Sequence, residues 1–274
     1  MTAAPGNNFS QTKTRTTQMQ YSMKLIMAAV ALCAACDGQA FAQTTPAAGT
    51  PAAVPPPPPP PKWEGSISAG LTITRGNSQT TMLTGAAAAK RKWGQNELEL
   101  GGDGTYGTDH GVKNNEMAHG FGQYNRLLTD KFYLFGRGDA LYDGIADIDY
   151  RVTLSAGPGY YFIKNERTFF RVEVGPGYVF ENVGGDAKSY WTARIAERFE
   201  HKLTKTAKIW EAVEILPDIT HIHNYVINSE AGIEVAIDAQ WSLKTYFLDT
   251  YDNEPAPNRQ KNDFKLVAAV GYKF

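Results

Sequence analysis

Residues 150–162 read YRVTLSAGPGYYF, and residues 170–181 read FRVEVGPGYVFE. In the first stretch Tyr150, Val152, Leu154, Ala156, Tyr160 and Phe162 oppose Arg151, Thr153 and Ser155. In the second, Phe170, Val172, Val174, Tyr178 and Phe180 oppose Arg171, Glu173 and Glu181. Successive side chains on a strand point to opposite faces, so a period of two with one apolar and one polar face marks a strand and excludes a helix. Gly157-Pro158-Gly159-Tyr160 recurs as Gly175-Pro176-Gly177-Tyr178. Proline cannot donate to a sheet ladder and glycine accepts a bend, so the pair predicts a kink where the two strands face each other.

The same alternation extends in both directions. Trp63, Gly65, Ile67, Ala69, Leu71 and Ile73 share a face opposite Glu64, Ser66, Ser68, Thr72 and Thr74; Phe264, Leu266, Ala268, Val270, Tyr272 and Phe274 share another. No stretch sustains an apolar face at helical spacing. Twelve segments follow: 63–75, 79–92, 96–107, 116–128, 132–143, 150–163, 168–181, 190–202, 207–216, 224–237, 240–251 and 263–274. Ten is the alternative count, because 79–92, 116–128 and 207–216 alternate poorly and Glu197 and Glu211 disturb their strands.

A soluble β-sandwich would also alternate. Here, however, the apolar faces run far enough to cross an apolar band of ~25 Å when strands tilt. Aromatic residues also gather at segment ends (Trp63, Trp93, Phe132, Tyr150, Tyr190, Trp191, Trp241, Phe274), as interfacial girdles do. The fold class read from this pattern is all-β: an antiparallel transmembrane β-barrel over 63–274. Links after even segments are short, and those after odd segments (108–115, 144–149, 182–189, 217–223, 252–262) are expected to be longer. That is the two-sided loop pattern of a barrel with an even strand number.

The first 62 residues carry a different message. An apolar run from Leu25 to Cys36 follows Lys24 and precedes Ala40-Phe41-Ala42, which predicts a signal peptide over 1–42 cleaved after Ala42. Residues 43–62 form a linker with an unbroken proline run, Pro55 to Pro61, expected to be a stiff polyproline II tether. Cys33 and Cys36 leave with the leader, which excludes disulfides, thiol catalysis and thiolate metal sites from the mature part. Of 27 Lys+Arg and 28 Asp+Glu, the leader removes Lys13, Arg15, Lys24 and Asp37, so the mature net charge is −3. That is not the balance of a nucleic-acid binder.

The polar faces place Arg137, Asp139, Arg151, Arg171, Glu173, Arg194, Arg198, Glu230, Glu234 and Lys244 toward an enclosed lumen. Inside a low-dielectric wall such charges must pair or stay hydrated, since an unpaired one costs several kcal/mol. They imply either a salt-bridged interior or a constriction that selects small charged solutes. His221 and His223 with nearby Asp218 are read as surface residues of an outer loop, because a metal site needs three or four ligands. His119 has no evident partner in sequence. Gly76-Asn77 reads as turn chemistry. No catalytic constellation, cofactor or metal is expected.

The chain resembles the YdiY-like family of salt-induced outer membrane proteins, domain-of-unknown-function family 481. The resemblance rests on Trp63-x-Gly65-x-Ile67-x-x-Gly70, Thr74-Arg75-Gly76-Asn77-Ser78, Asp149-Tyr150-Arg151 with Gly157-Pro158-Gly159-Tyr160, and the closing Gly271-Tyr272-Lys273-Phe274. It implies a barrel in the outer membrane and induction by salt, and brings no established activity. A final strand ending in Tyr272 and Phe274 is similar to the terminal signal that barrel-assembly machinery recognises. The expected partners are therefore outer-membrane lipid, that machinery and a small hydrophilic solute. The alternative function is a non-conducting structural or stress-related envelope barrel whose outer loops bind a partner.

Overall fold

The structure is a computed structural model that describes residues 62–73 and 80–274. The expected leader, the linker up to Pro61 and the first loop around Gly76-Asn77-Ser78 lie outside the described residues. The described strands are β1 (Trp63–Ile73), β2 (Thr80–Trp93), β3 (Asn96–Asp109), β4 (Val112–Leu127), β5 (Phe132–Asp143), β6 (Ile148–Lys164), β7 (Thr168–Val183), β8 (Asp186–Lys202), β9 (Ala207–Pro217), β10 (Tyr225–Ala236), β11 (Trp241–Asp252) and β12 (Asn262–Lys273). Each pairs antiparallel with its sequence neighbours, and β12 returns to β1 to close the barrel. Twelve strands therefore stand, not ten.

The wall is sorted face by face. Leu71, Leu83, Leu154, Phe162, Trp191, Leu243 and Leu266 point outward and are exposed, Leu71 at 63%. Their alternating neighbours point inward and are polar and buried: Thr84, Glu97, Gln123, Arg151, Glu173, Arg194 and Ser242. This inverts a water-soluble protein and is the sorting that lipid outside and polar groups inside require. Closure also pairs every ladder without an edge, which lipid demands of any β structure. Glu197 and Glu211 are exceptions on outward positions of β8 and β9; Glu211 is exposed and Glu197 half-buried.

The turns on the side of both chain ends are short: 94–95, 128–131, 165–167, 203–206 and 237–240. Sequence dictates four of them. Thr129, Asn165, Thr204 and Asp238 each accept two hydrogen bonds from backbone N–H groups two and three residues ahead. Such Asx and hydroxyl turns reverse the chain locally.

On the opposite side three expected longer links are corrected. The link 144–149 is only 144–147, no longer than the four-residue turns at the chain-end side. Segment 108–115 is a hairpin with only His110 and Gly111 between strands, and 182–189 has only Gly184 and Gly185. All four have positive φ (48°, 78°, 63° and 83°), as a hairpin turn that matches strand twist requires. The polar sequence was strand continuing beyond the apolar belt. The links 218–224 and 253–261 are loops as expected.

Gly157 and Gly175 meet at equivalent positions of β6 and β7, between the pairs Ser155↔Gly177 and Gly159↔Glu173. A Cβ on Gly157 would strike the Val174 carbonyl, and one on Gly175 the Ala156 carbonyl. The twin motifs thus allow a close backbone approach.

Candidate functional site

Inward-facing side chains of the twelve strands form one continuous polar interior. At the end nearest the chain termini, Glu97 accepts a hydrogen bond from Tyr161 at 2.6 Å and lies 3.6 and 3.5 Å from Lys92 and Lys164. Glu99 pairs with Lys90 at 2.5 Å and, four strands away, with Arg171 at 3.2 Å. Glu200 takes Arg198 at 2.8 Å and Lys208 at 3.2 Å. Glu234 takes Lys273 at 2.6 Å and shares Lys208 at 3.6 Å. Glu230 accepts from the Trp210 indole at 2.5 Å. Lys244 extends beneath Gly271, whose missing side chain leaves it room.

Higher up, Glu173 is the hub. It is 2% exposed and accepts hydrogen bonds from Gln123 and Tyr133 at 2.7 Å and from Arg194 at 2.8 Å; Arg171 lies 3.6 Å away. Gln123 comes from β4 and Glu173 from β7, so this contact crosses the interior. Arg194 also pairs with Glu214 at 2.5 Å. Arg137 chelates Asp139 at 2.6 and 2.9 Å and donates to Gln123 at 3.1 Å. His119 sits between Asp103 at 2.9 Å and Asp139 at 3.6 Å, so the residue that looked solitary in sequence has two carboxylate neighbours.

At the far mouth Arg151 joins Glu181 at 2.5 Å to Asp252 at 2.8 Å. That bridge runs from β6 to β11, across nearly the full width of a twelve-strand barrel. Beside it a cavity of ≈ 370 Å³ is lined by Lys188, Tyr190, Asp218, His221, Asn224 and Glu254. Tyr190 lines this mouth instead of an outer girdle, because it shares the inward face with Thr192 and Arg194. His221 and His223 are exposed in loop 218–224. Among the described residues no group of three His, Cys, Asp or Glu could hold a metal ion.

The ten residues singled out in sequence all take inward positions. Arg151, Arg171, Glu173, Arg194 and Glu234 are buried; Arg137, Asp139, Arg198, Glu230 and Lys244 are partly so. Sequence reasoning missed their partners Glu99, Gln123, Tyr133, Glu214 and Asp252, and the separate pair of Glu97 with Tyr161. Tyr133 and Tyr161 read as apolar in a period-two pattern, yet their rings stack at 4.6 Å inside and their hydroxyls serve the carboxylates. At the seam, Phe274 and Gly65 exchange backbone hydrogen bonds at 3.0 Å, and the Phe274 ring covers Gly65. Tyr272 packs edge-on against Trp241.

The interior is unevenly filled. Within β3–β8 part of the inward set is completely buried: Gln123 and Asn125 are 0% exposed and Tyr161 1%, while Asp103, His119 and Arg198 keep some exposure. Trp210 and Tyr246 lie over Gly232, against Val267 and Ala269. On β1 and β2 four neighbouring inward positions are small (Ser66, Ser68, Ala86, Ala88), with Lys90 and Lys92 beyond them toward the chain-end side, and Ala88 stays exposed.

Solved structures are similar at low sequence identity and TM-scores below 0.5. The NanC porin matches at a TM-score of 0.47 and 6% identity, covering 77% of this chain and 98% of that one. The KdgM porin matches at 0.44 and 8%, covering 78% and 99%. The translocator domain of the autotransporter NalP from Neisseria meningitidis matches at 0.41 and 13%, covering 77% and 86%. In sequence, an uncharacterized protein of Escherichia coli K12, YdiY, is 26% identical over 212 residues, which covers 77% of this chain and 82% of that protein. A family model described as a protein of unknown function, DUF481, matches residues 67–274, and the chain belongs to that family.

Proposed function

We propose that the protein is an outer-membrane barrel with a narrow, off-axis passage for small hydrophilic solutes or ions. The apolar outer belt supports insertion in lipid, and the expected leader supports export. One observation carries the passage. At Ser66, Ser68, Ala86 and Ala88 the inner wall of β1 and β2 bears small side chains and leaves Ala88 exposed, whereas Gln123, Asn125 and Tyr133 on β4 and β5 are fully buried. The reading assigns no catalysis. It gives the strand ending in Tyr272 and Phe274 to recognition by the barrel-assembly machinery. In planar bilayers the folded protein is expected to give small, steady conductance steps. Their absence across a range of salts rejects the passage.

A second reading, a closed envelope barrel, is favoured by the far mouth. The Arg151–Asp252 bridge crosses it, and Ala256 and Pro257 of loop 253–261 pack against Gly184 of the β7–β8 turn. If the intact barrel is silent but a variant lacking 254–260 conducts, the loop closes it. Induction by salt suits both readings and separates neither.

A further inference from the structure

The ion pairs at the chain-end side of the interior are unbalanced in number and in exposure. Seven cations (Lys90, Lys92, Lys164, Arg171, Arg198, Lys208 and Lys273) serve four carboxylates (Glu97, Glu99, Glu200 and Glu234). Lys244 and Glu64 add one charge of each sign on the same inward faces, and Arg171 also lies 3.6 Å from the deeper Glu173, so the excess is two to three positive charges. Each of the four carboxylates is shared between two cations. Except for Arg171, which lies deeper than Glu99, each cation is more exposed than the carboxylate it serves: the side chains of Glu97 and Glu234 are 5% and 6% exposed, whereas those of Lys92 and Lys273 are 55% and 48% exposed. Negative charge is therefore sunk into the wall, and ammonium groups stand in the water. Lys90 and Lys92 follow Ala88 on the same inward face of β2, so this surplus sits at one end of the open strip.

From this arrangement we infer that the chain-end mouth is an anion-gathering mouth. It concentrates small hydrated anions, such as chloride, inorganic phosphate or short carboxylates, at the entrance to the β1–β2 strip. The physical cause is focusing: a positive surplus between low-dielectric walls raises the local concentration of counter-ions and repels cations. The selectivity of transport rests on the proposed passage. The local potential does not, and it can be read separately.

The experiment places a thiol in the strip, Ala88→Cys, in a full chain carrying Cys33→Ser and Cys36→Ser. The reagents are a negatively charged sulfonatoethyl and a positively charged trimethylammonium-ethyl methanethiosulfonate. In the folded barrel at low salt, the ratio of their modification rates should favour the anion roughly threefold or more over the urea-unfolded chain. Raising salt to about 1 M, where screening reaches only ~3 Å, should remove most of the preference. Lys92→Gln, Lys164→Gln and Lys273→Gln together should do the same. If that triple variant fails to fold, the salt series alone decides. A ratio that is flat or favours the cation, or a thiol that neither reagent reaches, overturns the anion mouth. In bilayers under a potassium chloride gradient, the reversal potential should indicate chloride preference. A cation-selective current overturns the mouth and leaves the passage standing. Absence of current overturns the passage, while the thiol ratio still decides the mouth.

Discussion

Two arcs of one wall treat the enclosed space differently. Strands β4, β6, β7 and β8 run 16 or 17 residues, and the arc that contains them fills its interior with stacked tyrosines and cross-barrel ion pairs. Strands β9 to β12 and β1 run 11 or 12 residues, and their inward faces mix small residues and rings laid along the wall with the charges Lys208, Glu214, Glu230, Glu234, Lys244 and Lys273. The long arc ends in turns of two to four residues. The short arc ends in loops 218–224 and 253–261, and the second is tied back by Asn253, which donates to the carbonyls of His223 at 2.5 Å and Tyr225 at 3.0 Å. In a closed barrel the ladder alone satisfies the backbone and holds the wall. The contents of the lumen are then free to differ from one side to the other. One arc can be rigid and packed while the other keeps space.

The sharpest test of that difference is Glu173 against Ser68. Glu173→Ala leaves two buried guanidiniums and two buried donors short of an acceptor, and should cost about 3–5 kcal/mol. Ser68→Ala, on the sparse arc, should stay within about 0.5 kcal/mol. Urea unfolding in lipid vesicles, followed by tryptophan fluorescence, measures both. Similar losses at the two sites would dissolve the contrast between arcs.

A smaller effect probes the walls instead of the contents. Gly175→Ala forces a Cβ against the Ala156 carbonyl and should cost about 1–3 kcal/mol, because a backbone atom cannot rotate away as a side chain can. Gly85→Ala on β2 meets nothing within 4 Å. It should be neutral or stabilise by up to about 1 kcal/mol, since alanine restricts the unfolded chain more than glycine does. Equal costs would mean that the twin Gly-Pro-Gly motifs do not bring β6 and β7 unusually close.

The contrast between arcs also explains what could be read from the sequence. Strand number, closure and the inward set from Arg137 to Lys244 follow from period two, which depends only on neighbouring residues. β4 resisted because its face is set by a bulge. The His110–Gly111 turn pairs Thr108 with Lys113, but the register shifts between Gly107 and Thr108, so that Asp103 pairs with His119. A shift of one residue exchanges the two faces of a strand. That shift turns His119, Phe121, Gln123 and Asn125 inward, and no local pattern announces it. The cross-barrel partners were illegible for a related reason. Which inward residues meet across the lumen depends on shear and on the length of side chains reaching from strands three to five apart. The pairs Gln123–Glu173 and Arg151–Asp252 are 50 and 101 residues apart in the chain.

The smallest effect belongs to the loops of the short arc. Burial opposes ionisation of Asp218, but the Thr220 hydroxyl at 2.6 Å and the backbone N–H groups of Thr220 at 2.7 Å and His221 at 3.1 Å donate to its carboxylate and hold it below the ordinary aspartate range. A carboxyl with a folded pKa below its unfolded one stabilises the folded loop fully above the unfolded value. That stabilisation is lost as pH falls through the folded value. Hydrogen-exchange protection of residues 219–223, corrected for intrinsic rates, should therefore fall several-fold as pH drops from about 5 to about 3, around the ordinary aspartate pKa of ~3.9. Strand amides of the packed arc should keep their protection over the same range. Asp218→Asn should make the loop's protection insensitive to acid. If loop and strands lose protection together, acid is loosening the whole barrel, and the loops of the short arc are not an independently stabilised part of it.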